Sequence, residues 1–306
     1  MSPDAPLSNS AADSLSQRQL HRALAKFNRA RMTPVCDAPD WQSSLAAEYK
    51  LRRLEHEFVE AEAQALRSWA SEAPSDPDRF VEWFEALERV GPGQHDPLFP
   101  WLAEHATLDE LRWFLRQEMA GEAGFDDLVA LTQLKLPVRA KLELARNYWD
   151  EMGQGNESGM HGPMLEYLGK ALELAPSGDD IVWESLALSN LMVALAANRR
   201  YAYQSVGALG VIELTAPGRA AHVNRGLKRL GVPGEARRYY ALHATLDIKH
   251  SRAWNREVLQ PLVASDPRVA SSIAEGALMR LMAGARCFER YRRELFAAPL
   301  SAARVA

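Results

Sequence analysis

Cysteine is scarce in this sequence. Only Cys36 and Cys287 carry a thiol among 306 residues, far apart and without metal-ligand spacing. That excludes a thiolate metal site and gives no reason to expect a disulfide. A chain so poor in cysteine that binds metal must do so through His, Asp and Glu. A basic excess is missing too. The 36 Lys and Arg stand against 40 Asp and Glu, a formal net charge of −4; a nucleic-acid binder would show its basic footprint in that balance. No apolar run approaches the roughly 18 residues that span a bilayer. The opening MSPDAPLSNSAADSLSQ has neither the basic start nor the apolar stretch of a secretion signal. Together these absences predict a cytoplasmic protein, with no nucleic acid and no membrane among its partners.

Strand-like alternation between hairpin turns is not found, nor a repeat of fixed period. Helical periodicity runs through nearly the whole chain. The first dozen residues read as disordered. From Ser14 onward Leu20, Leu24 and Phe27 recur at helical spacing as far as Met32. A long amphipathic helix is expected over 41–70, and Ser75-Asp76-Pro77 caps another to about Val90. Residues 91–97 are turn-rich. The stretch 108–134 reads helical with a break at 121–124. Pro137 opens a helix to about Met152, and 153–159 reads as a flexible glycine-rich loop. Further helices are expected over 163–173, 180–198, 201–214, 220–230, 234–263 and 266–296. The predicted fold class is all-α, about ten helices joined by short connections that favour antiparallel neighbours. The domain reading is an N-terminal extension over 1–34 and one domain over 35–306.

The sharpest local signal is His243-Ala-Thr-Leu-Asp247-Ile-Lys-His250. At about 100° per residue, helix positions i, i+4 and i+7 fall within about 60° of one another. Two imidazoles and a carboxylate therefore project from one stripe. This set suits Fe, Mn or Zn and argues against an all-oxygen Ca or Mg site; the bland alternative is a solvated charged face. One stripe cannot complete a metal shell, so other helices must contribute. Glu213 stands alone among the small and apolar residues of Gly207-Ala-Leu-Gly-Val-Ile-Glu213-Leu-Thr-Ala-Pro217, and an unpaired carboxylate is costly to bury. The alternative is a helix end facing water, since Pro217 is near. Glu118 and Glu122 share a helical face at i, i+4; sequence alone does not choose between them, or between a ligand and an exposed acidic face. Around the glycine-rich loop Asp150, Glu151 and Glu157 are all ligands by residue type, and His161 can ligate or cap a helix.

In this order the segments resemble the haem-oxygenase-like diiron oxidases and oxygenases, a family that has the haem oxygenase fold but binds two irons in place of haem. The shared order is a Glu, then a Glu with a His ten residues on, then a Glu thirty residues before a His-x3-Asp-x2-His helix. Here those are Glu118; Glu151 and His161; Glu213; and His243, Asp247 and His250, over roughly residues 105–290. The resemblance implies a haem-oxygenase-like seven-helix bundle with additional N-terminal helices. It implies these residues as ligands of two Fe (Fe2+/Fe3+), O2 as co-substrate and an external electron donor. Some members of the family oxygenate nitrogen, turning amines into hydroxylamines or nitro groups; others cleave C–C bonds of amino or fatty acids. An additional carboxylate, matched by Glu151, looks like the pattern of the N-oxygenating members. The activity implied is N-oxygenation of a small amine-bearing metabolite in a biosynthetic pathway.

Three alternatives stand beside that reading. One is oxidative C–C cleavage on the same metal site. Another is haem degradation, which needs one proximal His and a roomy apolar pocket, a poor fit to so many convergent polar ligands. The third is a helical interaction protein without chemistry. Arg219, Tyr201, Tyr203 and Lys249 lie near the ligand segments in sequence and are candidates for substrate contact, though surface or packing roles suit them equally. A homodimer is the base-rate expectation for a soluble enzyme.

Overall fold

The computed structural model describes residues 11–36, 40–174 and 180–296. The disorder expected for the first dozen residues falls outside this set except at residues 11 and 12, which already belong to a helix. The elements are α1 (Ala11–Met32), α2 (Trp41–Ala70), α3 (Pro77–Val90), α4 (Leu98–Glu104), α5 (Leu108–Gly121), α6 (Phe125–Thr132), α7 (Val138–Glu151), α8 (His161–Ala171), α9 (Trp183–Ala197), α10 (Ala202–Arg229), α11 (Arg238–Trp254), α12 (Gln260–Ser265) and α13 (Val269–Phe296). No strand occurs among the described residues, so the protein is all-α as expected. None of these helices is long and apolar enough to cross a membrane.

Local chemistry sets most of the boundaries. Asp76 accepts from the Arg79 amide and Pro77 opens α3, where its missing N–H costs nothing. Thr107 and Glu110 form a reciprocal capping box at the start of α5. Gly124, in the left-handed region, separates α5 from α6. Residues 153–159 are not a loose loop: two short 3-10 turns reverse the chain, and Met152 and Met160 bridge across them.

Two departures from the sequence reading have physical causes. First, α4 was hidden by Pro100 and the turn-rich lead before it, yet Leu98, Phe99, Leu102 and Ala103 are all buried. Second, α10 runs straight past Pro217, where a helix end was expected. An internal proline removes one helical hydrogen bond and costs about 3 kcal/mol. The burial of Leu214 and Thr215 before it and of Ala220 and Val223 after it offsets that cost. The lost bond is the one to the carbonyl of residue 213, four positions back.

Helix α10 is the hub, packed against α13, α11 and α4. Its approach to α13 is backbone on backbone. A Cβ at Gly207 would fall 1.8 Å from the Ile273 carbonyl oxygen, and one at Gly276 would fall 1.8 Å from that of Gln204. Helix α9 is buried on every side, from Trp183 to Ala196, as its lack of a polar face requires.

Helix α1 closes over α9. Asn28 donates to Asn190 at 2.8 Å, and the fully buried His21 stacks on Trp183 at 5.7 Å with Phe58 edge-on at 4.8 Å. Burial, and then the charge of Arg286, lowers the His21 pKa from 6.5 to about 4. Unfolded, this imidazole takes its proton near 6.5; folded, it resists until about 4. Its contribution is therefore complete above pH 6.5 and is lost as pH falls toward 4, by up to about 3 kcal/mol. His21→Phe is expected to lose less melting temperature than wild type between about pH 7.5 and about pH 5. An equal loss in both proteins would clear His21 of that role.

Candidate metal centre

Four helices bring their polar residues to one point. Asp150 and Glu151 close α7, and the paired turns fold the chain back so that His161, the first residue of α8, returns beside Glu151. His161 Nδ1 lies 2.6 Å from Glu151 Oε2, and both residues are buried. On α11 His243, Asp247 and His250 share a stripe. On α10 Glu213 sits in mid-helix, 2% exposed, so the water-facing alternative does not apply. One turn earlier, Gly210 lets Trp254 of α11 lie on α10: a Cβ there would meet Trp254 Nε1 at 2.5 Å. This close approach sets His250 Nδ1 3.4 Å from Glu213 Oε2.

Two groups of metal-ligating atoms result among the described residues. Glu151, His161 and His243 form one; Glu151, Glu213 and His250 form the other. In each, one ligand atom per residue lies within 4.8 Å of the others. Glu151 belongs to both.

The second ring nitrogens of His243 and His250 are held from outside. His243 Nδ1 lies 2.7 Å from the Tyr239 carbonyl oxygen, to which it donates, leaving Nε2 as a lone pair. His250 Nε2 lies 3.1 Å from Asp150 Oδ2, and donation there leaves Nδ1 facing Glu213. This is the outer-partner arrangement by which proteins orient metal-binding imidazoles. Asn147 donates to Glu213 Oε1 at 2.6 Å, fixing that carboxylate with Oε2 toward His250.

Several inward atoms lack a protein partner. His161 Nδ1, His250 Nδ1 and Asp247 Oδ1 are buried without a hydrogen bond among the described residues. His161 Nδ1 is close to Glu151 but not aligned to donate to it. Leaving such groups unsatisfied costs about 1–3 kcal/mol each, and a bound cation satisfies them together.

Electrostatics point the same way. Burial, then the charge of Glu213, holds the Glu151 carboxyl well above its usual range. Burial, then Glu213 and Glu151, pushes Asp247 up to about 10. Burial keeps His161 and His243 neutral, each lowered to about 4. Burial pulls His250 down as well, but Glu213 and Asp150 outweigh it and push His250 up to about 9. The cluster is short of positive charge, which metal ions supply.

The cluster borders a cavity of about 170 Å³ whose wall includes Glu151, His161, Glu213, His243 and Asp247. Glu118 lines this cavity but joins neither group. Burial raises its pKa, while Arg280, Arg219 and a hydrogen bond from Tyr291 pull it down. Glu122 caps the end of α5 with a helical φ of −70° and its amide bonded to the Glu118 carbonyl, so the two carboxylates keep their shared face and line the same cavity. Glu122 is exposed, and its charge is among those acting on Glu151. Glu157 is exposed and Asp150 serves His250. Of the remaining sequence candidates, Tyr201 is buried and hydrogen-bonded to His56 and Glu60, Tyr203 packs against the core, Lys249 is exposed, and Arg219 lines the cavity. Asn147 and the Tyr239 carbonyl went unnoticed in the sequence. Asn147 had a signal, standing one turn before Asp150 and Glu151 on a single helix face.

The family model described as iron-containing redox enzyme matches residues 112–285, more than half of the chain and every residue of both groups. The chain belongs to the iron-containing redox enzymes. No curated protein matches it. Membership makes this protein an oxidoreductase of the haem-oxygenase-like superfamily, and the all-α bundle accords with that fold. The donor set accords with the metal: imidazole nitrogens and carboxylate oxygens, without thiolate, suit iron.

Proposed function

We propose that this iron-containing redox enzyme is a non-haem diiron oxygenase that N-oxygenates a small amine with O2. Glu151, His161 and His243 would hold one iron, and Glu151, Glu213 and His250 the other, with Asp247 beside them. The observation that carries the two-iron reading is the sharing of Glu151 between the groups: one carboxylate has two oxygens and can serve two metals. The irons, when bound, supply activation of O2, one oxygen atom going to nitrogen and the other to water with two electrons from an external donor.

The chain's own residues prepare the site. Asp150 and the Tyr239 carbonyl fix two imidazole tautomers, and Asn147 holds Glu213 in place. Met119, Leu165, Ile212 and Val223 line the cavity and limit water, which strengthens every charge interaction inside. Glu122 and Asp126 also line it and favour a cationic ammonium at entry. As a carboxylate at the cavity wall, Glu122 can take the ammonium proton and free the nitrogen lone pair. The N-oxygenating assignment draws on the additional carboxylate, Glu151, matched in the resemblance above.

Anaerobic loading with Fe(II), followed by isotopically labelled O2, a reductant and a panel of small amines, tests this by mass spectrometry. A hydroxylamino or nitro product carrying the label is expected. Release of a carbon fragment from an amino or fatty acid, with no amine oxidised, would replace this reading by C–C cleavage.

A further inference from the structure

The cavity beside the ligand cluster also holds two guanidiniums, Arg219 of α10 and Arg280 of α13. Neither is consumed by the fold. Arg219 donates to Thr215 Oγ1 at 3.0 Å, and Arg280 Nε is buried without a hydrogen-bond partner among the described residues. Glu118 is near enough for its charge to act on both, and Glu122 acts on Arg280. Among the described residues neither carboxylate closes into an ion pair with them. After burial, the stronger influence on Arg219 is repulsion by Arg280 rather than attraction to Glu118, and together these bring its pKa down to about 9. The two carboxylates share the cavity with the two guanidiniums but leave them without a matched partner, and a buried guanidinium is costly until an anion takes its donors.

Both heads are also held in position. Arg219 lies over the rings of Phe288 at 5.6 Å and Phe99 at 6.0 Å. Arg280 lies over Gly284, where a Cβ would come within 2.9 Å of Nη1. A planar guanidinium offers paired donors that match a carboxylate. The adjoining wall, with Met119, Leu188 and Ile212, suits an aliphatic chain.

We infer that Arg219 and Arg280 seat a carboxylate of the substrate, which is therefore an amino acid in the broad sense: an acid group at the arginines and the amine at the ligand cluster. The carboxylate half rests on the arginines alone; the amine half rests on the function proposed above.

Calorimetry on the full-length, iron-loaded protein without O2 tests the seat apart from the reaction. The probes are β-alanine, γ-aminobutyrate and ε-aminocaproate, each against its own carboxamide, with inorganic phosphate as a further arm. At least one acid is expected to bind at least about tenfold tighter than its amide. Arg219→Leu and Arg280→Leu should each remove that preference without weakening the amide. Should a leucine variant fail to fold, as judged by helical circular dichroism, two milder changes replace it. Gly284→Ala, which displaces the Arg280 head, should reduce the preference, and Arg280→Lys should retain part of it. Equal affinity for acid and amide, a preference undiminished in every variant that folds, or tight phosphate binding without acid binding overturns the proposal. If the acids bind as expected but turnover releases a carbon fragment, the N-oxygenase reading fails and the seat stands. If amines are N-oxygenated with no acid preference, the seat fails and the N-oxygenase reading stands.

Discussion

Glu151→Ala is expected to empty both iron positions, whereas His161→Ala or His243→Ala empties one and His250→Ala the other. Glu151 is the residue common to both groups of ligand atoms, so its loss opens a coordination position at each metal. Each imidazole serves a single group. Removing an outer partner of a ligand typically costs roughly 10–100-fold in metal affinity. Asp150→Ala, which frees His250 Nε2, should fall in that range, and Glu151→Ala should exceed it. Iron per chain after anaerobic loading and gel filtration reads the difference. Unfolding is a poor alternative explanation, because Glu151 strains the metal-free protein. Its carboxyl is held well above its usual range by burial first and then by Glu213, so its removal takes away a polar group that is costly to bury, and the metal-free Glu151→Ala protein should melt no lower than metal-free wild type. Two irons retained in Glu151→Ala, or Asp150→Ala as the more damaging change, would remove Glu151 from the centre of the site.

How far such residues can be read from sequence depends on how local their geometry is. His243, Asp247 and His250 were visible because a helix fixes the angle between positions four and three apart, and the structure keeps all three on α11. Glu213 was visible as a lone carboxylate in an apolar segment. Whether it faced water turned on Pro217, and only the packing on both sides of that proline keeps α10 whole. The pairing of Glu151 with His161 depends on the tight turns at 153–159, whose glycines looked like flexibility. There Gly153, Gln154 and Gly155 all have positive φ and set the reversal, and a Cβ at Gly153 would strike the Gly159 backbone at 2.4 Å. The Tyr239 carbonyl could not be read at all, since every residue has one. The arginine pair was half legible: Arg219 stood near the ligand segments, but Arg280 belongs to α13, and only tertiary packing brings the two into one cavity.

Glu122→Gln is expected to lower iron content, and Glu118→Gln to leave it unchanged. The two share a face at i, i+4, and α5 ends between them. The Glu122 amide still donates to the Glu118 carbonyl at 2.8 Å and its φ of −70° is helical, so its side chain keeps that face and only the chain after it turns away, at ψ 125°. The electrostatic surroundings then diverge. Arg280 acts on both, but Glu122 also acts on Glu151, within the cluster, whereas Glu118 is also met by Arg219 and Tyr291. Glutamine preserves size and removes charge, so each variant reports which charges its carboxylate balances. Without the Glu118 charge the arginines face less competition, and a carboxylate probe such as ε-aminocaproate should bind several-fold tighter to Glu118→Gln than to wild type. Iron analysis and calorimetry on the two variants read these effects independently. Iron lost from Glu118→Gln and kept by Glu122→Gln would return Glu118 to the ligand set that the family resemblance implies, and would leave Glu122 as a wall of the cavity.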